Sequence, residues 1–407
     1  MTTELELSCT TALAPLLEEY TPGAASLFAT PQGALLGQGV YATVPSRGGP
    51  DELARLPARA AALLRSVKWD GRVAPLVIGA LPFDRNAAAR LVVPQTLRTA
   101  ATPLASAPLD GPLLSSHTQR PQPSADEYHR SVERALVLLS GGSLDKVVLA
   151  RTLLLSGLDP IDIRPLLHNL ACHNHAGATF AVNLPPRPEA GDNPPPRTLV
   201  GASPELLVAR RGREVLSHPL AGSAPRSADP AEDQRRAEAL LASAKDQREH
   251  AVVVEAVVAG LRRFCRRVDA PPAPTLLATE TMWHLGTPIR GELSDPTTTA
   301  LELAAALHPT PAVCGFPTVA ARAAIGALEP FERGFYSGAA GWCDAGGDGE
   351  WYVTIRCAEV EGRQIRLFAG AGIIPGSQPE AELAETTAKL GTMLRALGLE
   401  RQREAQR

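Results

Sequence analysis

Lysine is scarce in this chain, and nearly all of its 40 basic side chains are arginine. With abundant alanine and proline, that bias points to a GC-rich genome. A charge excess of one sign is also missing. The 43 acidic residues leave a formal net charge of -3, and no basic cluster is long enough for a nucleic-acid footprint. The densest basic spot, Arg262 to Arg267, falls near the end of a predicted helix, where cations suit the dipole. The six cysteines, Cys9, Cys172, Cys265, Cys314, Cys343 and Cys357, form no CxxC pair. That excludes a disulfide framework and favours reduced thiols in a cytoplasmic protein. No apolar run reaches the roughly 18 residues of a membrane span. MTTELELS at the N-terminus is acidic and has no apolar h-region, so it does not read as a signal peptide. Internal repeats and a GxGxxG fingerprint are absent, which leaves a dinucleotide-binding reading weak.

What is there suits a soluble globular protein. The 407 residues are 44% hydrophobic and 20% charged, enough to build a large core. Residues 1 to about 93 alternate strand-like pieces such as GALLGQGVYATV and PLVIGALPFD with alanine-rich helical ones. A Pro/Ser/Thr/Ala-rich stretch from Pro94 to Pro123 reads mostly as loop. Ser124 and Glu127 then form a capping box. It opens a helix with Tyr128, Val132, Ala135, Leu136 and Leu139 on one face, stopped by Gly141-Gly142.

Further strands are expected in DKVVLARTLLL, ATFAVNL, RTLVGASPELLVAR, EVLSHPLAG, EWYVTIRCAEV and RQIRLFAGAGI. PPRPEAGDNPPPR is too rich in proline to pair and reads as a hairpin loop. The helices expected are 230–264, TTALELAAALH, PTVAARAAIGAL and PEAELAETTAKLGTMLRALGL. Strands outside regular βαβ alternation predict an α+β fold with large, mostly antiparallel sheets. The N-terminal part shows no core of its own, so a single domain over 1–407 is expected.

Several residues are out of place chemically. Glu205 follows Pro204 in an apolar strand. Either it faces solvent on an edge, or burial raises its pKa and makes it a proton donor. Lys146 shares a strand face with Val148 and Ala150. It either snorkels beside Asp145 or is desolvated enough to serve as a base. Glu249 lies on the apolar stripe of its helix, with Val252, Val253 and Ala256. Glu385 precedes Lys389 by four residues and follows Glu382 by three. This is either a helix ion pair or, if Glu249 and Glu385 converge, the two-carboxylate pattern that holds Mg²⁺. FAGAGIIPG (368–376) and LAGSAPR (220–226) read as glycine-rich turns able to cradle an anion. Arg356 could clamp a carboxylate. HNLACHNH brings His168, Cys172, His173 and His175 together, but reads as a helix C-terminus rather than a zinc site.

DKVVLAR, GASPELLV, PLAGSAPR, AKDQREH, HPTPAVCGFP, ERGFYSGAAGW, TIRCAEV, AGAGIIPGSQP and ETTAK follow one another in an order that resembles the chorismate-utilising enzymes. The chain is most similar to their isochorismate synthase branch. The likeness runs through residues 124–399, the expected catalytic core, and is thinner over 1–123, where IGALPFD resembles the family's N-terminal half-sheet. It implies one α+β domain of two large packed antiparallel sheets with helices outside.

It further implies that Lys146 activates water for attack on C2 of chorismate, and that Glu205 protonates the departing C4 hydroxyl. Glu249 and Glu385 match the family's Mg²⁺ ligands, and Asp246 and Glu382 match acidic positions near the metal that act through water. Arg356, Gly370, Gly372 and Lys389 match groups around the substrate carboxylates. Gly222, Ser223, His284 and Tyr336 match other pocket positions. Lys146 sets the chain apart from ammonia-adding relatives, so no glutamine amidotransferase subunit is expected. Ala312 stands where salicylate synthases carry Thr, which favours release of isochorismate. A bifunctional salicylate synthase and an inactive chorismate-binding homologue remain alternatives. A monomer acting on a small molecule, with no membrane or nucleic-acid partner, is expected, feeding salicylate, 2,3-dihydroxybenzoate (siderophore) or menaquinone synthesis.

Overall fold

The structure is a computed structural model that describes residues 6–10, 13–68, 74–101, 107–114, 116–174, 176–187, 191 and 193–399. His175 lies outside these residues, as do residues 188–190 and 192 of the proline-rich hairpin loop. Among the described residues the strands form three sheets.

The largest has eleven strands and is antiparallel except where Glu6–Thr10 pairs with Thr96–Ala100. Its central strands run Ala25–Thr30, Ala178–Leu184, Arg197–Ser203, Cys357–Glu361, Gln364–Ile373 and Lys146–Gly157. The second has nine strands, with Glu214–His218, Leu206–Arg211, Gly349–Val353, Ala339–Asp344 and Leu76–Leu81 at its middle. Leu220–Pro225, Met282–Gly286 and Thr275–Ala278 make a third, three-stranded sheet. N-terminal strands belong to both large sheets.

The two large sheets share one core. Phe28, Phe180 and Leu199 from the first pack with Ile78, Ala340 and Tyr352 from the second, and the Phe28 and Tyr352 rings lie 5.8 Å apart. Helices Ile163–His173 and Pro379–Ala396 cover the outer face of the eleven-stranded sheet. Helices Glu52–Ser66, Ala244–Leu261 and Ala300–Leu307 cover that of the nine-stranded one. The α+β architecture expected from the sequence is the one observed.

The helix Ala125–Ser140 begins at the expected capping box and buries Tyr128, Val132, Ala135 and Leu139. Other expectations need correcting. The helix expected over 230–264 is two helices, Pro230–Ala242 and Ala244–Leu261, because Ser243 leaves the helical conformation and its side chain accepts from the Asp246 amide. Arg266 and Arg267 consequently lie on the strand Cys265–Asp269 and pair with Glu292 and Asp269. The stretch from Pro94 contains two strands, Thr96–Ala100 and His117–Gln122. FAGAGI is not a turn. The strand Gln364–Ile373 runs through Gly370 and Gly372, and the turn follows at Ile374 to Ser377.

Three segments expected as single strands each divide between sheets. Arg197–Ser203 lies in the eleven-stranded sheet and Leu206–Arg211 in the nine-stranded one, so the chain crosses at Pro204-Glu205. Gly349–Val353 and Cys357–Glu361 cross in the opposite direction through Arg356, whose φ is 49°. Glu214–His218 and Leu220–Pro225 part at Pro219. Proline has no N–H to donate to a ladder, and a residue with positive φ breaks the strand conformation.

Candidate active site

The crossings meet at one small cavity of about 60 Å³. All the site residues expected from the sequence line it except Lys146, Asp246 and Glu382; of these, Lys146 lies against the lining residues Glu249 and Gly372, and Asp246 against Gly222. Larger grooves elsewhere, such as that beside Arg213 and Arg290, are open and hold no comparable set of buried ionisable groups.

Glu205 is 2% exposed. Burial pushes its carboxyl up to about 7; the Leu220 amide and the charges of Lys146, Arg356 and Lys389 pull the other way without overcoming it. The edge-strand, solvent-facing reading of Glu205 is therefore excluded. Its backbone carbonyl accepts from the Val353 amide at 3.0 Å, which ties the 204–205 crossing to the 354–356 crossing.

Lys146 is equally buried, at 2%, so it does not snorkel to solvent. It begins the strand Lys146–Gly157. Its ammonium lies 2.8 Å from Glu249 Oε1, yet among the described residues it makes no hydrogen bond of ordinary angular geometry. Gly372 is what admits both groups. A Cβ there would lie 2.5 Å from Glu249 Oε1 and 3.1 Å from Lys146 Cε. Gly370 has a similar place under Tyr336, whose hydroxyl would be 2.8 Å from a Cβ. Tyr336 stacks on Phe368, with centroids 4.9 Å apart, and burial pushes its phenol up to about 12.

Arg356 and His284 form another buried pair. The guanidinium Nη2 donates to His284 Nε2 at 3.4 Å. Burial and the adjacent Arg356 charge hold His284 well below the usual imidazole range, so it is a neutral acceptor.

Glu385 accepts from Ser223 Oγ at 3.0 Å and pairs with Lys389 at 2.5 Å, while Lys389 also donates to the Gly370 carbonyl at 3.0 Å. Burial would raise the Glu385 carboxyl, but Lys389 and Ser223 outweigh it and hold it below its usual range. The i,i+4 ion pair and the cavity position are thus both real.

Asp246 and Glu382 are raised instead. For each, burial is the main cause, and the negative charges of Glu249 and Glu385 add to it. Gly222, with φ 78°, lies against Asp246; a Cβ would be 3.0 Å from Asp246 Cβ.

The chain contains four lysines, Lys68, Lys146, Lys245 and Lys389. Three of them sit here, against Glu249, Glu382 (3.4 Å) and Glu385. Lys245 was missed in the sequence reading, although its rarity was a usable signal. Leu220, whose amide reaches Glu205, and Phe368, under Tyr336, were missed too.

Two carboxylates from different helices facing one cavity, with two more acids nearby whose carboxyls are raised mainly by burial, are an oxygen-only donor set suited to a hard cation. Among the described residues no three His, Cys, Asp or Glu side chains are grouped so as to hold a metal by themselves. Such a cation would therefore keep water or substrate oxygens in its shell. The histidine-rich segment is not a comparable centre. His168 contacts the Ala107 carbonyl, Cys172 is buried, and His173 lies 3.0 Å from Glu280.

A profile described as chorismate binding enzyme matches residues 75–398. The chain belongs to the chorismate-binding enzyme family. It is 54% identical over 387 residues to the isochorismate synthase DhbC of Bacillus subtilis, covering 95% of this chain and 96% of that one. It is 45% identical to the vibriobactin-specific isochorismate synthase of Vibrio cholerae, covering 85% of each. Among solved structures, the putative 2,3-dihydroxybenzoate-specific isochorismate synthase DhbC of Bacillus anthracis superposes with a TM-score of 0.89 at 48% identity, over 95% of this chain and 100% of that one. Anthranilate synthase component I of Streptococcus pneumoniae, at 20% identity and TM-score 0.66 over 92% and 90%, shares the fold. Among the described residues no helix is long and apolar enough to cross a membrane.

Proposed function

We propose that this chain is an isochorismate synthase, an isomerase that binds chorismate in the cavity described above. Within the site, one observation carries the reading. Glu205 is a buried carboxyl held near neutrality, and it faces the same cavity as the environment of a buried lysine. The isomerisation needs a proton donor and a proton acceptor at one substrate, and Glu205 and Lys146 are the groups proposed for those two roles.

In its neutral form Lys146 takes a proton from a water whose oxygen bonds to C2. The two ring double bonds shift, the C4–O bond breaks, and Glu205 gives its proton to the departing oxygen, which leaves as water. One proton is taken and one given. The enzyme ends with a lysine ammonium and a Glu205 carboxylate, and solvent exchange restores both.

Mg²⁺ is the proposed resident cation, with Glu249 and Glu385 as its ligands and Asp246 and Glu382 acting through water. When bound, it supplies positive charge that offsets a substrate carboxylate. Arg356, Lys389 and the Gly370 and Gly372 backbone orient the substrate's carboxylates, while Gly222, Ser223, His284 and Tyr336 complete the walls. Ala312 offers only a methyl group to the cavity, which favours release of isochorismate over elimination of pyruvate. The proposed setting is cytoplasmic, as a monomer without an amidotransferase subunit. Siderophore synthesis through 2,3-dihydroxybenzoate is the favoured destination, given the specificities named for the relatives above.

The test is chromatography of a quenched reaction with chorismate and Mg²⁺. Isochorismate as the main product supports the reading. Stoichiometric salicylate would make the chain a salicylate synthase, and no consumption of chorismate would leave an inactive homologue.

A further inference from the structure

The strand that begins at Lys146 has an unusual edge. One side pairs without interruption with Gln364–Ile373, setting Gly372 opposite Val148 and Gly370 opposite Ala150. The other side is paired only near its ends. Gly315–Phe316 lies opposite Lys146 and Val147, and His117–Gln122 lies opposite Thr152 to Gly157. Between them, residues 148–151 face no strand among the described residues, and a backbone bond on this edge runs from the Val148 amide to the Cys314 carbonyl at 2.9 Å.

Two side chains fill the gap. The Val148 carbonyl accepts from Arg333 Nη2 at 2.7 Å, and the Ala150 amide donates to Glu329 Oε1 at 2.7 Å. Glu329 and Arg333 also bind each other, through Nε to Oε2 at 2.9 Å and Nη2 to Oε1 at 2.5 Å. Arg333 Nη1 donates to the Val313 carbonyl at 2.8 Å, next to Ala312. The guanidinium lies over Phe83 at 4.5 Å and within 5.7 Å of the Tyr336 ring centroid. Both side chains are 2% exposed.

We infer that Glu329 and Arg333 are positioning residues, a buried clamp that fixes the Lys146 strand and the Ala312 loop relative to one another. The inference rests on the isochorismate synthase reading. A buried ion pair is poor evidence for added stability, because apolar replacements of similar volume are often as stable. What this pair does have is directed bonds. A planar fork joins the base-bearing strand, the loop that carries Ala312 and the helix-end carboxylate at once, which the single ammonium of a lysine could not reproduce. A shift of about 1 Å in a reacting group can lower a rate by about a hundredfold.

Two double variants separate positioning from mere edge-filling. Glu329→Gln with Arg333→Gln keeps an acceptor for the Ala150 amide and a shorter donor directed toward the Val148 carbonyl. Glu329→Leu with Arg333→Met keeps only volume. Thermal unfolding, kcat, KM and amide exchange over residues 146–151 are measured on both. We expect similar melting temperatures and KM values. The Leu/Met variant should lose about a hundredfold in kcat and exchange faster over 148–151, while the Gln/Gln variant stays within about tenfold of the parent. A folded Leu/Met variant with kcat within about threefold of the parent, or with unchanged exchange, overturns the inference. If neither double variant folds, Arg333→Lys decides: a kcat drop of about tenfold or more at constant KM supports the clamp, and unchanged kcat overturns it. Should the parent itself fail to turn over chorismate, the functional reading falls, while the exchange comparison still tests the clamp.

Discussion

Glu205→Gln should stabilise the fold at alkaline pH while removing activity. The Glu205 carboxyl sits near 7 in the fold against 4.5 in the open chain, and its burial is the main cause. A raised carboxyl means that the native state prefers the protonated form. The stability this contributes is fully present below pH 4.5 and is lost as pH rises through about 7. The gap corresponds to about 3 kcal/mol, of which about 2 kcal/mol falls between pH 5 and pH 8. Glutamine has nearly the same shape and no charge, so it does not share the loss.

The assay is urea unfolding of parent and variant at both pH values, with m-values checked for equality. Other titrating groups are common to both proteins and cancel in the difference. The variant should gain on the parent by about 2 kcal/mol on going from pH 5 to pH 8. Its kcat should fall by about 10²- to 10⁴-fold, because an amide has no proton to give the leaving hydroxyl. An unchanged stability difference at the two pH values would refute the buried-acid argument. Activity above about a tenth of the parent's would refute the acid role.

Lys146→Ala should abolish conversion while chorismate still binds, as read by calorimetry; comparable turnover would remove Lys146 from the reaction. Glu249→Ala and Glu385→Ala should each abolish the heat of Mg²⁺ binding, and the parent should be inactive in excess chelator. Gly372→Ala should lower kcat by at least about tenfold, since its methyl would lie 2.5 Å from Glu249 Oε1 and displace Lys146 as well. A parent-like kcat would mean that neither side chain needs its present place. Ala312→Thr should raise the salicylate share of the product, measured by fluorescence after chromatography, and an unchanged ratio would show that this position does not set the outcome.

The order of motifs along the chain was legible, and so were the residues that gather at the cavity. Amphipathic helices were legible where caps and periodicity agreed, as at Ser124 and Glu127. What could not be read was which sheet a strand joins. Alternation with period 2 is the same on either side of a crossing, so RTLVGASPELLVAR and EWYVTIRCAEV looked continuous. The break at Ser243 was hidden because the flanking sequences are both helical and the cap interaction lies within the junction. The Glu329–Arg333 clamp was hidden for another reason. Its partners are main-chain atoms, two of them more than a hundred positions away and the third, the Val313 carbonyl, 20 positions away, and no side-chain pattern records a backbone partner.

The hidden crossings are also why the carboxyl of Glu205 can be both buried and chemically available. A residue within a ladder has its backbone committed on both edges and its side chain packed between neighbours. At a crossing that packing is interrupted. The 204–205 segment is held by the Val353 amide on the Glu205 carbonyl, and the Ala202 amide donates to the Arg356 carbonyl at 3.0 Å. The third crossing, after Pro219, brings the Leu220 amide to the Glu205 side chain. Three departures from strand geometry thus brace one another at a single point. They leave a small cavity there instead of a packed core, lined by Glu205 and Arg356. The prolines and the left-handed arginine that spoil these segments as strands therefore shape the site: two of the breaks turn an ionisable group, Glu205 or Arg356, toward the cavity, and the third brings the Leu220 amide to Glu205.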